Sequence, residues 1–135
     1  MKEKNSETVS KLAKWLDGFA IVVVGGRERS FIKGRIQAAF GASRVDWVEF
    51  HPKKAPETLE AVIARPDVAV VLLVIRSNIV VVRNVRKACA LQGKVLVRAP
   101  GVTGIDRIAA EIMEQVGERL KERYEQRSKK GNTNG

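Results

Sequence analysis

Two kinds of hydrophobic pattern alternate along the chain. Residues 19–24 (FAIVVV) and 68–75 (VAVVLLVI) are continuous apolar runs rich in β-branched side chains, which is typical of strands covered on both faces. Residues 45–50 (VDWVEF) alternate between apolar and polar positions, which favours a strand at the edge of a sheet. Residues 94–98 (KVLVR) complete a set of four predicted strands, and the run at 68–75 is expected near the sheet centre.

Between these runs, apolar residues recur every three or four positions, which predicts helices. Ser6 can cap a helix that precedes the first strand and closes at Gly18. The other predicted helices run from Ser30 to near Gly41, from Pro56 to the helix-breaking Pro66, from a cap at Asn78 to Gly93, and from Thr103 to about Tyr124.

This order of elements predicts a single three-layer, Rossmann-like α/β domain, because parallel strands need right-handed crossover helices between them. We expect a four-stranded parallel sheet in the order 2-1-3-4, with an extra N-terminal helix and a long C-terminal helix. A chain of 135 residues has the length of one domain. We place a flexible segment at 1–5, the domain at 6–127 and a disordered tail at 128–135.

Charge narrows the range of partners. The formal net charge is +10, which favours nucleic acid or another polyanion as a partner. Residues 67–100 hold six basic residues and one acidic residue, a local charge of +5, whereas residues 101–135 hold seven basic and six acidic residues. The positive charge is therefore concentrated around the third and fourth predicted strands.

Cysteine count and hydropathy indicate the compartment. A lone cysteine, Cys89, excludes an intramolecular disulfide and any paired-cysteine metal or redox motif. The polar start lacks the apolar core of a signal peptide, and the longest apolar run is too short to cross a membrane. We expect a soluble, cytoplasmic protein that does not bind membranes.

Parallel sheets of this order bind ligands beyond the carboxyl ends of the strands, where the chain reverses direction. The loop with Gly25, Gly26 and Arg27 leads from a buried strand to Ser30 at the start of a helix, where backbone N–H groups can hold an anion. Its spacing matches neither the dinucleotide nor the P-loop motif. A tight turn that merely requires glycine is the alternative explanation.

Arginines follow several of the predicted strands. Arg27, Arg29, Arg76 and Arg98, here called the arginine rim, fall at or just after three strand ends, and Ser77 and Asn78 follow Arg76. Convergence of these side chains would offer bidentate donors to phosphate, whereas separate exposure to solvent is the alternative. On the fourth predicted helix, Val82, Val85 and Cys89 face inward, so Arg83, Arg86 and Lys87 form an outward basic stripe.

No set of catalytic residues can be recognised. The only histidine, His51, has no second histidine with which to form a metal site or a triad. Asp46 and Glu49 point to opposite faces of one strand, and Cys89 is expected in the core. Trp15 and Trp47 are too far apart in the sequence to suggest a stacking platform for bases. We expect no catalytic residue, metal or cofactor, although a partner that completed the site would leave enzyme activity open.

Three segments resemble a small bacterial domain family of unknown function, DUF2325: residues 22–27 (VVVGGR), 68–78 (VAVVLLVIRSN) and 85–97 (VRKACALQGKVLV). The resemblance lies in the order of features over residues 21–102, roughly three fifths of the chain, and implies a Rossmann-like fold without an established activity. In that family a histidine follows the third strand, and Ile79 occupies that position here. Any chemistry that depends on this histidine is therefore expected to be lost.

These patterns lead to three functional hypotheses. The first is a non-catalytic domain that binds nucleic acid through the arginine rim and the basic stripe. The second is a sensor that binds a nucleotide or another phosphorylated small molecule at Gly25, Gly26 and Ser30. The third is an assembly subunit that binds a copy of itself or a protein partner through its terminal helices, chiefly the overhanging end of the C-terminal helix at 116–127.

Overall fold

A computed structural model of the chain describes residues 2–25, 29–49, 56–74, 79–99 and 104–133. Helices and strands alternate along the described residues, as the hydrophobic pattern predicts. The elements are α1 (Lys2–Leu16), β1 (Ala20–Gly25), α2 (Ser30–Phe40), β2 (Arg44–Glu49), α3 (Pro56–Ile63), β3 (Val68–Leu73), α4 (Ile79–Gln92), β4 (Val95–Arg98) and α5 (Ile105–Thr133).

The four strands form one parallel sheet in the order β2-β1-β3-β4. This arrangement confirms the predicted fold class and strand order, with an additional N-terminal helix and a long C-terminal helix. The apolar strands β1 and β3 occupy the centre of the sheet, where helices cover both faces, and the half-polar β2 lies at an edge.

Side-chain alternation along the strands builds a separate core on each face of the sheet. Ile21 and Val23 of β1 face a cluster shared with α1, α2 and α5, whereas Val22 and Val24 face a cluster shared with α3 and α4. Every residue of β1 is buried. The sheet is therefore a middle layer between two layers of helices, as expected for a three-layer α/β domain.

Glycines close three helices at the predicted positions. Gly18, Gly41 and Gly93 have φ angles of 81°, 61° and 65°, in the left-handed region that glycine adopts at little cost. Gly41 donates its backbone N–H to the Gln37 carbonyl, which completes the last turn of α2. These turns set where the following strands begin.

The two terminal helices are longer than their apolar periodicity predicts. α1 begins at Lys2 instead of Ser6, and α5 continues to Thr133 instead of ending near Tyr124. Up to Lys130, lysine, glutamate, glutamine and arginine make up most of the added turns, and these residues favour helix even without an apolar face. The predicted flexibility of residues 1–5 and 128–135 stays a prediction.

α1 and α5 pack against each other over the predicted overhang. Leu120 is buried, and the Arg127 guanidinium donates a hydrogen bond of 2.9 Å to the Trp15 carbonyl. The same guanidinium lies 4.4 Å from the centroid of the Phe19 ring, and the Lys14 ammonium lies 5.4 Å from the Tyr124 ring centroid. One face of segment 116–127 is therefore covered by the protein's own first helix.

Among the described residues, no helix combines the length and the apolar character needed to span a membrane.

Candidate functional site at the edge of β4

Strand register brings the carboxyl ends of three strands to one edge of the sheet. Val24 of β1 pairs with Leu73 of β3, and Leu73 pairs with Arg98 of β4. The strand residues that precede the predicted loops therefore lie side by side at the carboxyl edge of the sheet. Within the predicted site, Gly26, Arg27, Arg76, Ser77 and Asn78 lie outside the described residues.

Gly25 belongs to the end of β1 and is buried. A Cβ atom at this position would lie 2.6 Å from Val74 Cγ2 and 3.3 Å from the Trp47 ring. Real Cβ atoms do not approach so closely, so tight packing by itself requires glycine at the strand end. Its predicted role in anion binding stays a prediction.

Arg29 and Ser30 open α2. Arg29 occupies the N-cap position with extended backbone angles and makes no side-chain capping hydrogen bond. Both residues are exposed, and the first turn of α2 contains no acidic residue. This end of α2 is therefore accessible and positively charged.

Arg98 projects from β4 toward the α4 side of the sheet. Val95 and Val97 point into the core shared with α1, α2 and α5, whereas Leu96 packs against the α3 and α4 core. Because alternate residues of a strand share a face, Arg98 leaves the sheet on the same side as Leu96. Its side chain is exposed at the end of an edge strand.

An open groove of about 420 Å³ follows this edge strand between α4 and α5. We call it the β4 groove. Its basic side chains come from three elements, and no acidic residue is among its described lining residues. The lining consists of Arg86, Cys89 and Ala90 of α4, Lys94, Leu96 and Arg98 at β4, and Gln115 and Arg119 of α5.

Within the described part of the chain, Lys94 is the one cation of the groove whose side chain donates hydrogen bonds to backbone carbonyls. Its ammonium donates hydrogen bonds of 2.8 Å and 3.0 Å to the carbonyls of Arg65 and Val68. Burial and the positive charge of Arg123 lower the pKa of Lys94 below its usual value. Lys94 therefore ties the start of β4 to the turn before β3, and the charge available to a ligand comes from the arginines.

Arg86, Arg98 and Arg119 supply that charge. All three residues are exposed, and within the described part of the chain none of their guanidinium groups has a hydrogen-bond or ion-pair partner. Gln115 holds the backbone of Arg98 through a pair of hydrogen bonds. The backbone of the central arginine is thus fixed while its guanidinium group stays accessible.

The opposite end of the sheet has a different charge balance. Arg44 forms ion pairs with Asp46 and Asp67 at 2.8 Å and 3.0 Å, and Arg65 pairs with Asp46 at 3.1 Å. Two arginines and two aspartates neutralise one another there. By contrast, the described lining of the groove contains no acidic residue to neutralise its basic side chains.

The basic stripe on α4 has the predicted orientation. Arg83, Arg86 and Lys87 are exposed, and Val85 and Cys89 are buried. Val82 is only half-buried because Val81 takes the inward position in its place. Arg86 belongs to both the stripe and the groove, so the two form a continuous basic surface. We call Arg83, Arg86, Lys87, Arg98 and Arg119 together the basic edge surface.

Cys89 lies in the core beneath the groove, as predicted, with 3% of its surface exposed. Burial raises the pKa of its thiol to about 11, against an opposing effect of Lys94. Since thiolate is the reactive form of cysteine, this thiol is unreactive near neutral pH. Among the described residues, no group of three or more histidine, cysteine, aspartate or glutamate side chains could hold a metal ion.

Sequence reasoning missed the contribution of α5. Gln115 and Arg119 are four residues apart and flank the apolar positions Ile112 and Val116, so they share one side of the helix. That spacing was readable in the sequence. The position of Gln115 and Arg119 beside β4 could not be read from the sequence, because it depends on how α5 is rotated and placed against the edge strand.

The fold and the groove define a small parallel α/β domain with a basic, open sheet edge. No family model, curated protein or solved structure matches this chain significantly.

Proposed function

We propose that this chain is a non-catalytic domain that binds nucleic acid through the basic edge surface. One observation carries the proposal: Arg86, Arg98 and Arg119 line one groove from three different elements. None of the three guanidinium groups has a partner in the described part of the chain. The described lining of the groove contains no acidic residue. Mutual repulsion of such side chains is unfavourable unless a polyanion neutralises it. Guanidinium groups also match phosphate oxygens in geometry.

The arrangement suits a repeated phosphate backbone better than one phosphate group. The stripe residues Arg83 and Lys87 extend the positive charge along α4 beyond the groove, and a linear polyanion can contact both. Nucleic acid bound in this way releases counterions, so its affinity falls steeply with salt.

The experiment is a fluorescence-anisotropy titration with labelled DNA and RNA oligonucleotides over a range of salt concentrations. The double variant Arg98→Gln/Arg119→Gln removes two groove charges, and Lys11→Gln/Lys121→Gln removes two exposed charges elsewhere, as a matched control. Loss of two phosphate contacts should reduce the slope of log affinity against log salt by about 1.5. Absence of binding at low salt, or equal effects of the two double variants, would contradict the proposal.

A second candidate function is a sensor of a nucleotide or another phosphorylated small molecule. The groove volume of about 420 Å³ favours it, because small-molecule sites commonly occupy about 300–1,000 Å³. A thermal-shift screen with nucleotides tests this function separately. A pocket ligand should raise the melting temperature of the native chain and have no effect on Arg98→Gln/Arg119→Gln.

The remaining sequence-based hypotheses stay predictions. Membership of the DUF2325 family rests on the three quoted motifs. An assembly role for α5 would have to use a face other than the one that α1 covers, because Leu120 is already buried there.

A further inference from the structure

Phe31 is the most exposed of the large hydrophobic residues in the described part of the chain, with 75% of its surface accessible. It is the second residue of α2 and follows the carboxyl end of β1. Exposure of an aromatic ring forgoes a large hydrophobic gain. The apolar residues that anchor α2, Ile36 and Phe40, point into the core and do not depend on it.

One arginine lies against this ring, and a second is close to it in sequence. The guanidinium carbon of Arg35, one turn further along α2, lies 5.6 Å from the centroid of the Phe31 ring. Arg29, two residues before Phe31, is also exposed, and the sequence of α2 contains no acidic residue. The charged neighbours of Phe31 on α2 are therefore cationic, and Asp106 of α5 lines the cleft on the far side of Arg35.

The residues around Phe31 distinguish a protein from a nucleic acid as the partner that would cover this ring. A protein interface is built around a contiguous group of apolar and aromatic side chains, whereas Phe31 is a lone ring between arginines. Proteins that bind single-stranded nucleic acid combine aromatic side chains for the bases with positive charges for the backbone. An aromatic ring beside a guanidinium group is also a surface on which bases stack.

We propose that Phe31 is a stacking platform for an unpaired base and that Arg29 and Arg35 contact the adjoining phosphates. The inference rests on the proposed nucleic-acid binding and specifies its substrate class as single-stranded. In a duplex both faces of a base are already stacked, so Phe31 adds little to duplex binding.

The sheet places this platform on the same edge as Arg98. Strand β3 separates β1 from β4, so the strand ends that precede Phe31 and the β4 groove are about 10 Å apart at about 4.8 Å per strand. α2 packs on the sheet face shared with α1 and α5, whereas Arg98 leaves the sheet on the α4 side, so a single strand that contacts both Phe31 and Arg98 has to cross the carboxyl edge of the sheet.

The test compares Phe31→Ala, Phe31→Trp and the native chain in anisotropy titrations with a single-stranded oligonucleotide and with the duplex of the same sequence. Leu91→Ala is the matched control, because Leu91 is 70% exposed on α4. Loss of base stacking in Phe31→Ala should raise the Kd for the single strand about 5-fold to 150-fold. The Kd of the duplex should change less than twofold, and Phe31→Trp should bind the single strand at least as tightly as the native chain.

Four results would overturn the inference. If Phe31→Ala binds single strands normally while Arg98→Gln/Arg119→Gln does not, the stacking role is wrong and the proposed function stands. An equal loss for single strand and duplex would show that Phe31 does not contact an unpaired base. A native chain that self-associates until Phe31 is replaced would show that a second copy covers the ring. If no oligonucleotide binds the native chain, the proposed function and this inference fail together.

Discussion

The side-chain amide of Gln115 pairs with the backbone of Arg98 as a neighbouring strand would. Its Oε1 atom accepts a hydrogen bond of 2.9 Å from the Arg98 N–H, and its Nε2 atom donates one of 2.8 Å to the Arg98 carbonyl. Nε2 also donates to Glu111 at 2.9 Å. Edge strands leave such backbone groups open to pairing with other chains, and here a helix side chain occupies them.

Replacement of Gln115 by alanine should therefore loosen the end of β4. We expect a loss of about 1 kcal/mol in the free energy of unfolding, since both hydrogen bonds are partly exchanged for water. Gln126→Ala, at an exposed position of α5, is the control. Urea unfolding of the two variants measures the difference, and equal midpoints would show that the amide pair contributes no stability.

Lys94→Met should destabilise the domain and leave the outer basic surface intact. The change removes the donor for the Arg65 and Val68 carbonyls, and an unpaired, partly buried acceptor costs about 1–2 kcal/mol. Lys87→Met removes the same charge from an exposed position of α4 and should change the unfolding free energy by less than about 0.5 kcal/mol. Denaturant titration at neutral pH distinguishes the two variants.

Gly25→Ala should be destabilising because of steric overlap at the end of β1. The added methyl group would lie 2.6 Å from Val74 Cγ2, and overpacking of this kind costs about 1–3 kcal/mol. Gly34→Ala is the control: apart from its chain neighbours and the backbone of its own helix, a methyl group at that position would meet no atom within 4 Å, and alanine is favoured over glycine inside a helix by about 1 kcal/mol. Thermal melts should move in opposite directions. Shortening Val74 to alanine in the Gly25→Ala background should recover part of the loss.

Cys89 should make stability depend on pH in the alkaline range. The thiol has a pKa of about 11 in the folded chain and an ordinary value of 9.0. Between these values the unfolded chain loses the proton and the folded chain keeps it, so stability falls as pH rises from about 9 to about 11. The full loss is on the order of 2 kcal/mol.

A comparison with Cys89→Ala isolates this effect. Lys94, whose pKa is lowered by burial first and by Arg123 second, favours folding as pH rises in both chains, and only the part of its shift that comes from Cys89 enters the difference. The gap in unfolding free energy between native chain and variant should shrink from about pH 9 to about pH 11. A constant gap would contradict the raised thiol pKa.

Most of the fold could be predicted because the pattern of apolar and polar residues in each strand reflects how that strand is buried. The continuous β-branched runs of β1 and β3 indicated burial on both faces, and the half-polar pattern of β2 indicated an edge. The helix ends at Gly18, Gly41 and Gly93 followed from the need for a left-handed residue. The true length of α5 was missed, because its last turns depend on helix propensity without an apolar stripe.

The site was only partly predictable. Topology placed Arg98 at the carboxyl end of β4, but side-chain alternation turns it toward α4 and into a groove completed by Arg119. These two arginines are 21 residues apart in sequence and meet only because α5 folds back along β4. Phe31 was not recognised because its neighbours in sequence continue a helical pattern, and nothing in that pattern reveals which apolar residue stays outside the core.

The packing of α1 on α5 also sets the order in which the molecule can be completed. Leu12 and Leu16 reach full burial in a core that includes Ile112, Val116 and Leu120, about a hundred residues later in the chain. Closing so long a loop carries an entropic cost that the contacts between α1 and α5 help to offset. Contacts of α1 with α2 can form before α5 is present, but Leu12 and Leu16 are fully buried only once α5 packs against α1.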